Sequence, residues 1–387
     1  MKDLGFPVFD ADNHLYETRE ALTRHLDKKY KRAIQYVEVN GRTKLALCGS
    51  ISDYIPNPTF DVVARPGAYT GLKREGGAGK TLRELGREAA MKCSDEFRDR
   101  DKRLALMDEQ GLHATLVWGT LVSAVEERMK HDADLLHAAL RAFNRWLHEE
   151  WSFNYRERQF PVPMLSLMDV DQACAELDWC LAHGARIVGL RPAPVPGYRG
   201  SRSPGMPEFD PFWARVAEAG ISVGMHASDS GYDRHAAEWE GGSEFLPFEM
   251  SPLRQALSAN PIHDTLAALI CHGLFERHPN LRLLSVENGA GWVPNLLRRL
   301  EAVLPGKKPR EIFRRHIWVA AGLGDDPRRI ADEIGVDQML FGSDFPHPEG
   351  LEEPLSYAGT LAGFDADDVR KIMSANLQGL LQPRPRA

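Results

Sequence analysis

The chain has 387 residues, 43% hydrophobic and 27% charged, which is enough for one large α/β domain or two average ones with a sizeable core. With 48 basic and 55 acidic residues the formal charge is −7; no basic stripe is evident, which argues against a nucleic-acid partner. Cys48, Cys93, Cys174, Cys180 and Cys271 form no CxxC pair and the opening MKDLGFPVFDAD has no long apolar stretch, so neither a disulfide framework, a zinc knuckle nor a signal peptide is expected, and the chain reads as a soluble, reduced, cytoplasmic protein with no membrane partner.

Short apolar runs rich in β-formers alternate with helical patterns along the chain. The expected strands are 6–12, 114–120, 160–167, 185–192, 221–228, 281–288, 317–322 and 338–344. Helices are expected over 97–110, 131–150, 171–183, 210–219, 263–277, 291–303, 326–334 and 366–381. Eight strands that read apolar on both faces, each followed by a helix, predict an α/β fold of the (β/α)8 TIM-barrel type, with a doubly wound sheet as the alternative. Residues 30–96 break the alternation. Asn40-Gly41 lies between two alternating runs, a hairpin signal, and a Pro/Gly-rich stretch follows. The whole is expected to be an insertion after the first strand of a single domain spanning 1–387. Residues 191–207 and 226–252 read as two further long loops after strands four and five, where a barrel carries its site.

The expected strand ends are rich in metal-ligand types. The first presents Asp10, Asp12 and His14, then Glu17; the fifth presents His226, the sixth Glu287, and the eighth Asp344 with His347 behind it. Alternation puts Asp10, Asp12 and His14 on one side of their strand. A lone residue of this kind is more often a satisfied polar group than a ligand. Several at the same end of one barrel suit a divalent transition metal with open coordination positions.

Three stretches carry a resemblance: DADNHLYE (10–17), LFERHPNLRLLSVENGAGWVP (274–294) and LFGSDFPHPEG (340–350). Together they resemble the amidohydrolase-related family that includes amino-carboxymuconate-semialdehyde decarboxylase and aromatic acid decarboxylases. The resemblance runs over nearly the whole chain outside 30–96. It implies that Asp12, His14, His226 and Asp344 bind the metal, and that Asp344 also handles a proton. ARIVGLRP offers no strand-four lysine, so a carbamylated-lysine bimetal site is not indicated. The family's decarboxylases place a catalytic His before the glycines after strand six; here Asn288 stands there, preceded by Glu287. Neutral Asn cannot shuttle a proton, and Glu287 is the candidate that can.

Around this centre, Arg191 is a candidate for pairing with a substrate carboxylate, Trp118 for an apolar wall, and His263 for a substrate contact. His272 and His278 read as structural. The expected activity is a metal-dependent hydrolase or carboxy-lyase acting on a small carboxylic acid, in a homodimer. Zinc is placed slightly ahead of manganese and iron, since N/O sites accept all three. Two alternatives stay open: a dinuclear oxygenase whose second metal uses Glu17, Glu287 and His347, and a non-catalytic scaffold subunit.

Overall fold

The computed structural model describes residues 3–70, 82–240, 252–253, 257 and 260–383. Strand β1 (Val8–Leu15) is buried along its whole length. Next comes a small antiparallel sheet of β2 (Ile34–Val39), β3 (Arg42–Leu47) and β4 (Ser50–Ser52), with Asn40 and Gly41 at positive φ in the first turn. Strands β5 (Val62–Ala64) and β6 (Ala90–Lys92) form an antiparallel pair, with helix α1 (Leu82–Glu88) between them. Among the described residues, none of these five strands pairs with β1 or with the parallel strands that follow.

Strand β7 (Leu112–Gly119) lies parallel to β1 and pairs with β8 (Gln159–Pro161). A second parallel sheet runs β9 (Met164–Leu165), β10 (Ile187–Leu190), β11 (Ser222–His226), β12 (Leu283–Val286), β13 (Ile317–Ala320) and β14 (Met339–Leu340), in that spatial order. The expected third strand is divided into β8 and β9 because Pro161 and Pro163 lack N–H donors. Pairing continues across the gap: Val162 donates to the Val117 carbonyl (2.9 Å) and Gly189 to that of Pro163 (2.8 Å). Beyond β14, Ala11 donates to the Phe341 carbonyl (2.9 Å), Asp344 to that of Asp12 (2.7 Å) and His14 to that of Phe345 (2.6 Å). The chain leaving β14 is therefore hydrogen-bonded along β1.

Helices cover the outside. α2 (Arg100–Gln110), α4 (Ala133–Trp151), α5 (Val170–Ala182) and α12 (Pro327–Ile334) each start after an aspartate whose side chain accepts from N–H groups of the first turn: Asp99, Asp132, Asp169 and Asp326. Such caps satisfy donors that have no intrahelical partner. Between α2 and α4 lies the short α3 (Val125–Met129), which has no counterpart among the expected helices. α6 (Asp210–Ala219) matches its expected span. The third long loop contains α7 (Tyr232–Trp239); residues 241–251 of that loop, like 71–81 of the expected insertion, lie outside the described residues. The helix expected over 263–277 is two, α8 (Pro261–Cys271) and α9 (Leu274–Arg277), because Gly273 takes a left-handed conformation between them.

α10 (Val293–Val303) and α11 (Pro309–His316) precede β13. The expected helix 366–381 is α13 (Ala366–Arg370) and α14 (Asn376–Leu381), joined by a π-helical turn. That wider turn leaves the Ile372 carbonyl to accept from Phe341 N–H (3.1 Å), tying the C-terminal helix to the end of β14.

The core is continuous and includes Trp118, 2% exposed. A Cβ at position 224 would lie 2.4 Å from the Trp118 indole. Glycine in β11 is thus what lets a large ring fill the space between the strands.

Candidate metal centre

The carboxyl-terminal ends of β1, β11 and β12 bring four ligand-type side chains together. Asp12, His14, His226 and Glu287 offer one ligand atom each, all within 4.8 Å of one another. Asp12 Oδ1 lies 3.3 Å from His14 Nε2 and 3.4 Å from His226 Nε2. Glu287 Oε2 lies 3.1 Å from His226 Nε2 and 3.6 Å from His14 Nε2. Asp344 Oδ1 is 3.5 Å from His14 Nε2. A second grouping, His14, Glu287, Asp344 and His347, shares two members with the first.

Local backbone geometry aims these groups. Glu287 and Asp344 both have φ of 57°, a left-handed conformation that non-glycine residues rarely adopt and that costs of order 1–3 kcal/mol. At Gly342, a Cβ would lie 2.7 Å from the Cβ of Asp12, so glycine is needed for the chain after β14 to approach β1 this closely.

Asp10 sits deeper, since two residues of strand advance about 6.6 Å. Its carboxylate accepts from Asp12 N–H (3.0 Å), Asn13 Nδ2 (3.2 Å), Ser343 N–H (3.0 Å) and Ser343 Oγ (2.5 Å). Burial pushes its pKa up to about 7. It pins the chain after β14 to β1 and is absent from both ligand groupings.

The electrostatics of the cluster call for positive charge. Burial alone would raise the pKa of Asp12, but the hydrogen bonds and charges of His14 and His226 outweigh it and hold the carboxyl below its ordinary range. Burial likewise opposes protonation of His14, yet Asp12 and Glu287 raise it to about 9. Asp12, Glu287, Asp325, Asp344 and Glu349 line one cavity of about 270 Å³. Five carboxylates in one cavity beside two imidazoles are a donor set that fits a divalent cation.

A family model described as amidohydrolase matches residues 89–376. The chain belongs to the amidohydrolase family. A gamma-resorcylate decarboxylase of Rhodococcus jostii is 26% identical over 266 residues, covering 64% of this chain and 77% of the relative. The crystal structure of an amidohydrolase from Mycobacterium avium subsp. paratuberculosis superposes with a TM-score of 0.91 at 42% identity, covering 98% of this chain and 100% of that one. A dihydroxybenzoic acid decarboxylase from Polaromonas, solved with bound manganese and the inhibitor 2-nitroresorcinol, shares the fold with a TM-score of 0.58 at 19% identity, over 81% of this chain and 93% of that one.

In this amidohydrolase the remaining sequence candidates take varied places. Glu17 is buried and lies outside both ligand groupings. Its Oε1 accepts from Leu121 N–H (2.8 Å) and Val122 N–H (3.1 Å), at the turn after β7. His347 lies beside the cluster, its Nδ1 2.8 Å from Asp344 Oδ1. Arg191 is 8% exposed and pairs with Glu127 (2.7 Å), while also donating to the Asp229 carbonyl (3.3 Å). It is engaged in anchoring the loops after β10 and β11. Trp118 packs 4.7 Å from the His226 ring and donates to the Ala11 carbonyl (3.0 Å), so it lies beneath the cluster. His263 lies in the first turn of α8 with Nδ1 2.8 Å from Asp264 Oδ1, and it does not line the cavity. Asn288 turns its amide to the carbonyls of Met225 (2.9 Å) and Val286 (2.8 Å), a backbone-tying role. His278 pairs with Asp210 (3.0 Å).

Three residues near the cavity escaped the sequence reading. Asp325 accepts from Ala290 N–H and Gly322 N–H, each at 2.7 Å, and so joins the loops after β12 and β13. It lies five residues beyond β13, where a strand-end reading does not look. Glu349 is buried past the Asp344 turn. Tyr54 comes from the 30–96 segment; burial first, then the charges of Glu287 and other carboxylates, push its phenol well up. A tyrosine in a Pro-rich loop carries no sequence signal for such a place. The same segment reaches the loop after β14: the backbone N–H of Tyr69 donates to the Pro348 carbonyl (2.6 Å), and Phe60 stacks on Tyr16 at 4.6 Å.

Proposed function

We propose that this protein is a metal-dependent carboxy-lyase of small aromatic acids, built as one closed (β/α)8 barrel with residues 30–96 inserted after its first strand. The observation that carries the reading is the meeting of Asp12, His14, His226 and Glu287 within 4.8 Å from three separate strand ends. The hydrogen bonds between the chain after β14 and β1 support closure. The Rhodococcus and Polaromonas relatives support the reaction class.

Asp12, His14, His226 and Asp344 would hold one divalent cation. The two ligand groupings share Glu287 and His14; a carboxylate can bridge two ions, but a single imidazole nitrogen serves one, so the sharing of His14 favours one metal over two. A bound cation would polarise a substrate oxygen and offset the charge of the carboxylates around it. The manganese in the Polaromonas enzyme makes that metal as suitable a first trial as zinc.

Glu287 is then the proton-handling group. Its side chain is 25% exposed and lines the cavity, so it meets both substrate and solvent. As the bond between the ring and the carboxylate breaks, the electron pair stays on the ring carbon, carbon dioxide leaves, and Glu287 delivers a proton to that carbon. Solvent restores the proton on Glu287. The loops after β13 and β14, with Asp325 and Glu349, wall the cavity and restrict the shape of the acid admitted.

The test is metal analysis of protein purified without chelator, followed by carbon dioxide release from a panel of hydroxybenzoates with manganese and zinc. About one ion per chain and release from one class of acid are expected. Acid production from esters or lactones, without carbon dioxide, would replace this reading with hydrolysis.

A further inference from the structure

Two residues outside the proposed ligand set connect two members of it. Thr120 follows β7, and His347 follows the Asp344 turn; each is 8% exposed. His347 Nδ1 lies 2.8 Å from Asp344 Oδ1, and its Nε2 lies 3.0 Å from Thr120 Oγ1. Thr120 Oγ1 is also 3.4 Å from His14 Nδ1 and 3.0 Å from the Leu15 carbonyl. The rings of His14 and His347 are 3.9 Å apart at 31°.

Hydrogen-bond counting gives this chain a direction. An ionised Asp344 can only accept, so the proton of a neutral His347 sits on Nδ1. Its Nε2 is then an acceptor, and the Thr120 hydroxyl is the donor beside it; the Leu15 carbonyl competes for the same hydrogen. His14 turns Nε2 to the cluster, so its Nδ1 carries the proton that the Thr120 oxygen accepts. We infer that Thr120 and His347 are positioning residues: they bridge His14 to Asp344, fixing the ring of one and the carboxylate of the other in the geometry a cation requires. This inference rests on the reading of Asp12, His14, His226 and Asp344 as ligands. Groups that orient ligands in this way are typically worth about 10- to 100-fold in metal affinity.

The experiment titrates manganese(II) into chelator-stripped full-length protein. The variants are Thr120→Val, Thr120→Ser, His347→Gln and His226→Ala, each with a melting temperature and a manganese electron paramagnetic resonance spectrum. Thr120→Val and His347→Gln are expected to weaken manganese binding by ~10-fold or more and to change the spectrum of the bound ion. Thr120→Ser, which restores the hydroxyl, is expected to recover wild-type affinity and spectrum. If Thr120→Val does not fold, His347→Gln still tests the bridge, because His347 makes the hydrogen bonds to both Thr120 and Asp344. Wild-type affinity and spectrum in His347→Gln, with binding lost in His226→Ala, would overturn the bridge and leave the ligand reading standing. Wild-type manganese binding in His226→Ala would overturn the ligand reading itself, and the bridge with it.

Discussion

Glu287 Oε2 lies 3.1 Å from His226 Nε2, and the two residues stand at the carboxyl ends of the adjacent strands β12 and β11. His226 Nδ1 is 2.8 Å from the Ala227 carbonyl. With its proton on Nδ1, His226 presents a bare Nε2 to the cluster, which is the form that binds a metal.

Replacing His226 by Ala removes one of two imidazole donors from a buried set. Metal content after dialysis should fall to near zero, with affinity lower by ~100-fold or more. Unchanged stoichiometry by elemental analysis would sink the ligand assignment.

Glu287→Gln keeps the shape of the side chain and removes its proton chemistry. Turnover should fall by ~100-fold or more while bound metal and melting temperature stay near wild type. Loss of metal along with turnover would make Glu287 a ligand instead. Lost stability with normal activity per folded molecule would leave it only a structural part at the glycine turn.

Metal uptake should release a proton. In the metal-free protein Asp12 and Glu287 raise His14 against the effect of burial to about 9, so below that pH a cation displaces a proton from its ring. Apparent affinity should rise about tenfold per pH unit from pH 7 towards 9 and then flatten. Calorimetry in buffers of different ionisation enthalpy measures the proton directly, and none released at pH 7 would mean that His14 is already neutral there.

Glu17 offers a stability test away from the metal. Burial raises its pKa to about 7 from an ordinary 4.5. The folded state therefore binds a proton that the unfolded chain gives up between those values. The stabilisation is complete below about pH 4.5 and is lost as pH rises to about 7. Glu17→Gln should abolish this slope and be more stable than wild type at pH 8 by about 3 kcal/mol, with metal binding unchanged. Parallel denaturation profiles across pH for the two proteins would refute it.

Gly342→Ala places a Cβ 2.7 Å from that of Asp12. Overpacking here should cost about 1–3 kcal/mol and weaken metal binding, because the methyl group pushes against a proposed ligand. A melting temperature and manganese affinity equal to wild type would show that β1 yields at no cost.

Periodicity and residue chemistry alone determined the order of the parallel strands and most of the helices. Runs such as Leu283–Val286 are buried on both faces, and apolar continuity records that directly. The ligand-type residues were legible for a related reason: His14, His226 and Glu287 lie at or next to strand ends and Asp12 three residues before one, so one-dimensional position predicts their shared location.

The partners of long side chains were decided only by the tertiary structure. Arg191 stands at a strand end as expected, but Glu127 from α3 reaches it first. Glu17, three residues past His14, is carried to the amides of Leu121 and Val122. Asp325 comes to the cavity through a loop whose course depends on what it packs against. Strand register places a Cα within a layer, whereas the direction of a carboxylate depends on a few backbone angles, such as the positive φ of Glu287 and Asp344, and on donors supplied from distant parts of the chain.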